Sequence, residues 1–357
     1  MSTVKANAIL DASGGNTATF NGIPLRQGVL DPQNLIINGA MDFWQRGTSF
    51  TTAVYGADRW FNGLTGGTVT QSQQAFTLGT TIGSSNPTYF LRQDVTGQTL
   101  TTQYANTQQR IEGVRSYAGQ TITILGWAKR GTGSGNMALE AEQNFGTGGS
   151  PSAGVTAISP TTVTLTTSWA AFAVTMTIPS ITGKTLGSNL NDFLAINFWT
   201  SAGSTFNART NSLGLQTIAV DLWGVHIKLG TQTTAAVDLY KQPELGPELA
   251  RCKRYYEQYG PNYRVSIGTS ANSSTTTTLA TLIFSVSKRA TPIISYGGGW
   301  RTLGANQGGA ISALAFSEPS LTNVTVQATG TSYVQGMANY IQSTDGFTGF
   351  ITVDAEL

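Results

Sequence analysis

Short apolar runs, separated by clusters of Gly, Asn, Ser and Pro, recur along this chain from Asn34 onward. In the stretch AAFAVTMTI, the residues Phe172, Val174, Met176 and Ile178 alternate with Ala and Thr, which gives a strand one apolar face. Only 11% of the residues are charged and 42 are glycine, as expected for a β-rich protein with many turns. These patterns predict an all-β fold in which antiparallel sheets pack face to face.

The domain organisation follows from length and from changes in composition. At 357 residues the chain exceeds a single domain of ordinary size, so we expect two folded domains and a tail. Residues 1–33 are polar and lack a sustained apolar period, which predicts an extended arm, either disordered or docked onto another protein. Residues 34–245 predict a β-sandwich, residues 246–260 a connecting helix, and residues 261–357 a second, smaller β domain.

The helix prediction depends on the stretch GPELARCKRYYEQYG. Pro247 stands at a helix-start position, Glu248 in the first turn, and Gly260 with Pro261 at the stop. One face of this helix would hold four residues at the spacing i, i+3, i+7 and i+10, namely Leu249, Cys252, Tyr256 and Tyr259. Because symmetry repeats one patch around an axis, we predict that this face forms the contact of a homotrimer and that Tyr256→Asp disrupts assembly.

Cys252 is the only cysteine, and its place on this apolar stripe predicts a buried, unreactive thiol. The cations Arg251 and Lys253 would lower the pKa of the thiol if they faced it, but adjacent residues on a helix point in different directions. A reactive thiol is the alternative.

Several classes of protein are excluded by what the sequence lacks. The net charge is +2 and no long run of Lys or Arg occurs, so nucleic acid is not an expected partner. One cysteine and one histidine give neither a disulfide nor a clustered zinc motif, and no cofactor is expected. No apolar segment has the length of a secretory signal or the ~18 residues that span a membrane, so neither export nor membrane insertion is expected.

The sequence offers two routes to catalysis, and neither is specific. His226 is the only imidazole, and the alternation in VDLWGVHIKL places it with Leu222 and Lys228 on one face of a strand, which predicts a structural histidine. Glu140 and Glu142 share a strand face with side chains roughly 7 Å apart, between the carboxyl separations of retaining and inverting glycosidases. The expected environment of Glu140 and Glu142 is a solvated strand face. We therefore predict no enzymatic activity, and a glycan depolymerase is the alternative.

The seven tryptophans suggest carbohydrate stacking, because sugars bind the flat faces of aromatic rings. Trp127, Trp199 and Trp223 lie inside strand runs and are predicted to be core residues. Three others lie in polar, glycine-rich neighbourhoods and are the candidate glycan-binding residues, although core packing is favoured for each: Trp44, Trp60 and Trp300.

Six segments carry a family resemblance: NLIINGAMDFWQRGTSF, YGADRW, QRIEGVRSYAGQTITILGWAK, QNFGTGGSPS, LTTSWAAFAVTMTIPSITGKTLG and PELARCKRYYE. Together they resemble tailed-bacteriophage fibre proteins over most of residues 1–260, and less distinctly through KRATPIIS and VDAEL. The resemblance implies a virion structural protein with a jelly-roll sandwich similar to carbohydrate-binding modules, an N-terminal attachment arm and a homotrimeric assembly. It also implies a structural calcium near the first and last strands, where Asp42 and Asp221 stand, although the acidic position in NGAMDF is spaced differently.

These expectations combine into one functional hypothesis. The chain is predicted to be a non-enzymatic fibre protein of a bacteriophage virion, assembled in the host cytoplasm, which attaches through residues 1–33 and binds host surface polysaccharide through its β domains. With three chains in a fibre and several fibres on a particle, many weak sugar sites would bind together, and their avidity would hold the particle on the host. Two alternatives remain open: a head fibre or capsid decoration protein, and a polysaccharide-depolymerising tailspike.

Overall fold

The computed structural model describes residues 19–20, 23–24, 34–261, 264–304, 307–344 and 348–357. Most of the predicted arm, residues 1–33, therefore lies outside the described residues. Within the arm the structure places one short antiparallel pair, β1 (Thr19–Phe20) with β2 (Ile23–Pro24). Attachment through the arm stays a prediction.

The first domain is a jelly-roll sandwich of two antiparallel sheets, so the predicted all-β fold is confirmed. Its strands are β3 (Ser49–Phe50), β4 (Trp60–Thr65), β5 (Thr68–Ala75), β6 (Tyr89–Thr96), β7 (Tyr104–Glu112), β8 (Thr121–Gly133), β9 (Asn136–Asn144), β10 (Val155–Thr164), β11 (Ala170–Thr177), β12 (Phe193–Ala202) and β13 (Ile218–Leu229). A five-stranded sheet has the order β10-β9-β12-β7-β4, and a six-stranded sheet has the order β11-β8-β13-β6-β5-β3.

The core of this domain lies between the two sheets, and strand alternation positions it. In β11, Phe172, Val174 and Met176 are buried in the core, whereas Ala173 and Thr175 are half-buried on the other side. β12 differs, because all ten of its residues are buried. One face of β12 meets the core, and the other forms the floor of a surface cleft described below.

The second domain is a smaller β-sandwich with its own core. Its strands are β14 (Tyr256–Tyr259), β15 (Ser266–Asn272), β16 (Thr277–Ile283), β17 (Ile293–Gly297), β18 (Trp300–Gly304), β19 (Gln307–Ile311), β20 (Ala313–Ser317), β21 (Asn323–Thr329), β22 (Ala338–Ser343) and β23 (Phe350–Asp354). A three-stranded sheet has the order β14-β23-β17, and a seven-stranded sheet has the order β19-β18-β22-β15-β16-β21-β20. Apolar residues from both sheets form one buried cluster, which includes Trp300, Val326 and Val353.

Helical segments are short. A 3-10 helix (Ser204–Phe206) continues into α1 (Asn207–Thr210), a second 3-10 helix spans Thr234–Leu239, and α2 spans Leu245–Lys253. No helix within the described ranges is long and apolar enough to cross a membrane.

The helix predicted over residues 246–260 is too long. α2 ends at Lys253, and Tyr256 and Tyr259 belong to β14, which pairs with β23. Backbone pairing with a strand far along the chain overrides the helical period, and tyrosine is favourable in strands. Leu249 and Cys252 lie on the helix, but the two tyrosines do not extend its face, so the predicted trimer face does not exist as one helix surface.

Two arginines of the first domain stack on tyrosines just after α2. The guanidinium of Arg59 lies 3.5 Å from the centre of the Tyr255 ring, and that of Arg46 lies 3.5 Å from the centre of the Tyr256 ring. Arg46 also pairs with Asp354 of β23 at 3.2 Å. These contacts join the two domains, so Tyr256→Asp would first disturb packing within the chain.

Cys252 lies on α2 with 1% of its surface exposed, in a small apolar cluster with Ile37 and Tyr255. Its predicted burial is confirmed. Burial raises the pKa of the Cys252 thiol, and the nearby charges of Asp58 and Glu248 raise it further. The thiolate, which is the reactive form, is therefore disfavoured.

We expect native Cys252 to react with an aromatic disulfide reagent at least about 100-fold more slowly than the unfolded chain at mildly alkaline pH. The absorbance of the released thiol measures the rate, with urea-unfolded protein as the reference and Cys252→Ala as the background. Rapid labelling of one thiol per folded chain would contradict the burial of Cys252.

Candidate functional site

Two of the three candidate tryptophans are not accessible to a glycan. Trp60 begins β4 with 0% of its surface exposed, and Trp300 begins β18 with 3% exposed. The prediction is wrong for both, because their glycine-bearing neighbours form turns while the rings pack into the domain cores. Trp44 is half-buried, and its indole N–H donates to Met41 O at 2.7 Å. Stacking of a sugar on Trp44 stays a prediction.

The two acidic residues considered for calcium have separate partners. Asp42 accepts a hydrogen bond from Gln242 at 2.8 Å, and burial raises the pKa of its carboxyl. Asp221 is fully buried, accepts two hydrogen bonds from Arg92 at 2.6 and 2.8 Å, and lies 3.4 Å from Lys129 Nζ. Among the described residues, no group of three or more His, Cys, Asp or Glu side chains could hold a metal ion. The residues do not fit calcium, because two cations already neutralise Asp221.

Glu140 and Glu142 lie on one face of β9, but this face is not solvated as expected. Arg209, from α1, donates from Nε to Glu140 at 2.6 Å and from Nη2 to Glu142 at 2.7 Å. Glu140 is fully buried and also accepts the backbone N–H of Ala157 at 2.7 Å. Burial raises the pKa of the Glu140 carboxyl, and the hydrogen bond from Arg209 opposes this shift.

Arg209 lies at one edge of a cleft on the outer face of the five-stranded sheet. The cleft has a volume of about 210 Å³. Strands β4, β7, β12 and β9 supply its floor, because alternate residues of neighbouring strands point to the same side, and the 3-10 helix with α1 supplies a wall. The lining side chains are Phe61, Tyr104, Asn106, Gln108, Arg110, Glu142, Asn197, Trp199, Phe206 and Arg209.

Three amide side chains form a hydrogen-bonded row on the floor of the cleft. The Oδ1 atom of Asn197 accepts from Asn106 Nδ2 at 3.0 Å and from Gln108 Nε2 at 2.8 Å. The row follows from strand register, since Asn197 of β12 stands opposite Gln108 of β7. Amides that hold one another in place present donors and acceptors in fixed positions.

Aromatic rings flank the amide row. The centre of the Trp199 ring lies 5.6 Å from that of Tyr104 and 5.4 Å from that of Phe206, and the Arg209 guanidinium lies 5.1 Å from the Trp199 ring. Trp199 is 2% exposed, and within the described part of the chain its indole N–H has no acceptor. At this burial the Trp199 ring supports Tyr104 and Phe206, the half-buried rings that line the cleft, rather than facing a ligand itself.

The charges around the cleft balance. Arg110 and Arg209 contribute two positive charges, and Glu140 and Glu142 contribute two negative ones. The cleft therefore favours a ligand that is recognised by hydrogen bonds and ring contacts rather than by net charge.

Sequence reasoning missed the amide row and Arg209, and it assigned Trp199 only to the core. A signal is present in YANTQQRIE, where Asn106, Gln108 and Arg110 alternate with residues of the other face. That alternation marks a polar outer face on β7. It does not reveal that β12 and β9 lie beside β7, because the strand order is set by the topology of the sandwich.

His226 and two larger clefts lie outside this site, although Arg110 lines both the site and the larger of the two clefts. His226 is buried, with Nδ1 2.9 Å from Gly224 O and its ring packed on Tyr240, which agrees with a structural role. A cleft of about 580 Å³ between the domains is lined by Arg251 and Arg254, which already pair with Glu248 and Glu112, respectively. Another, of about 530 Å³, is lined by Asp42 and residues 242–245.

No family model and no curated protein matches this chain. Among solved structures, it is similar to a putative sugar binding protein from Bacteroides thetaiotaomicron, with 14% identity, a TM-score of 0.35, and coverage of 56% of this chain and 100% of that one. The CBM22-1 xylan-binding domain of Xyn10C from Paenibacillus barcinonensis has 14% identity, a TM-score of 0.31, and coverage of 56% and 97%. The enzymatically active domain of tailspike protein 4 from bacteriophage CBA120 has 15% identity and a TM-score of 0.31, over 55% of this chain and 21% of that structure.

Proposed function

We propose that this chain is a non-enzymatic glycan-binding protein of a bacteriophage fibre and that the cleft on the five-stranded sheet is its glycan site. The observation that carries the glycan assignment is a buried amide row flanked by aromatic rings in a cleft of balanced charge. Sugar hydroxyls both donate and accept hydrogen bonds, as amides do, and the C–H faces of sugar rings pack on aromatic rings.

The size and the aromatic lining of the cleft suit a short stretch of a saccharide. Its volume of about 210 Å³ is smaller than the roughly 300–1,000 Å³ of sites that enclose drug-sized ligands. A chain of sugars would therefore lie across the sheet with one or two rings in the cleft. The half-buried rings of Phe61, Tyr104 and Phe206 line the cleft and would pack on the C–H face of such a ring.

The carboxylates favour binding over hydrolysis. Glycoside hydrolysis needs one carboxyl that exchanges a proton and a second that attacks the sugar or activates water. Here Glu140 and Glu142 are both hydrogen-bonded to Arg209, and Glu140 is fully buried. A depolymerising tailspike is therefore the less favoured function.

The fibre assignment is supported by the segments within residues 34–260 that resemble fibre proteins of tailed phages. In this proposal, residues 1–33 attach the chain to other virion proteins, and three copies assemble. Weak glycan sites then act together on each particle. A head fibre or capsid decoration protein would use the same cleft, and electron microscopy of virions that lack residues 1–33 in this chain distinguishes the two locations.

Trp199→Phe tests the glycan site, because the smaller ring supports Tyr104 and Phe206 less well, and these half-buried rings shape the cleft. An array of neutral, amino and acidic oligosaccharides identifies the strongest ligand, and titration calorimetry with that oligosaccharide measures its affinity. We expect Trp199→Phe to weaken binding about 10-fold. The matched control is Trp169→Phe, a half-buried residue packed on Phe76 and Phe90 of the other sheet, which should bind like the unmodified protein.

Three results would contradict the proposal. Absence of binding to every oligosaccharide would overturn glycan recognition, and equal affinities of Trp199→Phe and the unmodified protein would overturn this cleft as the site. Release of reducing ends from a bound polysaccharide, lost in Glu140→Gln, would overturn the non-enzymatic assignment.

A further inference from the structure

No other described part of the chain covers the outer face of the seven-stranded sheet. One row of outward side chains crosses five adjacent strands through Ala338, Ala271, Leu279, Gln327 and Ala315, and all five are exposed. Their sequence neighbours Asn339, Asn272, Thr278, Val326 and Phe316 point to the other face, so the row belongs to one continuous surface.

This surface is unusually poor in charge. A second row holds Leu303, Tyr340 and Thr269, and the remaining outward positions of β16, β21 and β20 hold Thr, Asn, Ser, Ala or Ile. Arg301, on β18, is the one charged side chain among the outward positions whose side chains are described. Leu279 is 40% exposed and Tyr340 is 55% exposed, although water-facing strands normally carry charged residues.

We propose that this outer face is where copies of the chain pack against one another. A symmetric contact places each residue close to its own copy near the axis, so like charges there would repel. The centre of this face avoids that penalty, because β15 is the middle strand of the seven and its outward residues there are Thr269 and Ala271. Among the described side chains, a charged partner would find one charged group on this face, Arg301, whereas a second copy offers a matching surface of mostly uncharged residues.

The area of the face is sufficient for a specific contact. Strands about 4.8 Å apart, with residues about 3.3 Å apart along each strand, give the seven strands a face of about 600 Å². Standard interfaces bury about 600 to 1,000 Å² on each partner, so a face of this size lies at the lower end of that range. Side chains such as Tyr340 and Leu279 add accessible area beyond the flat sheet. The surface deepens the proposed homotrimer and replaces the helix face that the sequence predicted.

Leu279→Glu tests this contact, because a negative charge in the row would face its own copy. Size-exclusion chromatography with light scattering should give a multiple of 37.6 kDa for the unmodified protein, three times that mass for a trimer, and a monomer for Leu279→Glu at micromolar concentration. Leu100→Glu, an exposed leucine of the first domain, is the matched control and should keep the oligomeric mass. Thermal unfolding of each full-length variant reports whether its second domain folds.

A cross-link provides a second readout that does not depend on loss of assembly. Cys252 is buried, so Ala271→Cys adds a single accessible thiol on the middle strand. A short bis-maleimide should join two chains through the introduced thiol in most of the protein, whereas Leu100→Cys should stay monomeric on a denaturing gel.

The outcomes separate this proposal from the glycan site. A monomeric unmodified protein, an oligomer that survives Leu279→Glu, or no cross-link at position 271 would overturn the contact. Glycan binding lost in Leu279→Glu with an unchanged oligomeric mass would assign the face to saccharide instead. Trp199→Phe should weaken glycan binding and keep the oligomeric mass, so failure of the glycan proposal leaves this one intact.

Discussion

Arg209→Met should lower the free energy of unfolding of the first domain by about 3 kcal/mol at neutral pH, because it leaves a buried carboxylate without its cation. Glu140 is fully buried, and its Oε1 atom lies 2.6 Å from Arg209 Nε. The same change removes one wall of the cleft, so glycan affinity should also fall. Urea unfolding followed by tryptophan fluorescence measures the stability.

The loss should depend on pH. Burial already raises the pKa of the Glu140 carboxyl above 4.5, and removal of Arg209 raises it further. A carboxyl whose folded pKa is raised contributes stability that is present below its unfolded pKa and is lost as the pH rises through the folded pKa. The difference between Arg209→Met and the unmodified protein should therefore shrink as the pH falls toward 4.5.

The double variant Glu140→Gln with Arg209→Met is the matched control, because an uncharged amide no longer needs a cation. It should recover most of the lost stability. Equal stability of Arg209→Met and the unmodified protein at neutral pH would show that the ion pair does not hold the cleft.

In Arg59→Met, we expect the two domains to unfold at more widely separated temperatures. The Arg59 guanidinium is buried, pairs with Glu356 and stacks on the Tyr255 ring at 3.5 Å. Methionine keeps some apolar contact but loses the ion pair and the stacking, at a cost of about 3 kcal/mol to the domain contact. Arg59→Lys should lose part of this, because an ammonium group keeps the charge without the planar stacking.

Differential scanning calorimetry measures this effect. We expect the unfolding transitions of the two domains to move apart in Arg59→Met, since less contact energy couples them. Arg115→Met, at an exposed arginine of the first domain, is the control and should leave the profile unchanged. A profile of Arg59→Met that overlays that of the unmodified protein would contradict the coupling role of Arg59.

Much of the fold was predictable, because strand alternation is a local pattern. The alternation of Phe172, Val174 and Met176 identifies the buried face of β11 without reference to any other strand. The second core beyond residue 264 also follows from short apolar runs between turns. The end of α2 was not predictable, because Tyr256 and Tyr259 obey a helical period and yet pair with β23.

The candidate site was predictable only in part, since it is assembled from strands that are distant in sequence. The outward alternation of Asn106 and Gln108 on β7 is visible in the sequence, but Asn197, which accepts from both, lies on β12. Likewise, the sequence predicts that Glu140 and Glu142 are solvated, because it does not show that Arg209 of α1 pairs with both of them. Side-chain partners of this kind depend on strand order.

The sequence by itself determined that the chain is β-rich, that it has two cores, and that Cys252 is buried, because these properties depend on the spacing of near neighbours. Only the tertiary structure decided that Trp60 and Trp300 are buried, that the amide row lines a cleft, and that no other described residues cover the outer face of the seven-stranded sheet. Burial and strand pairing depend on contacts between elements that are distant in sequence, and a local sequence pattern does not show which elements contact each other.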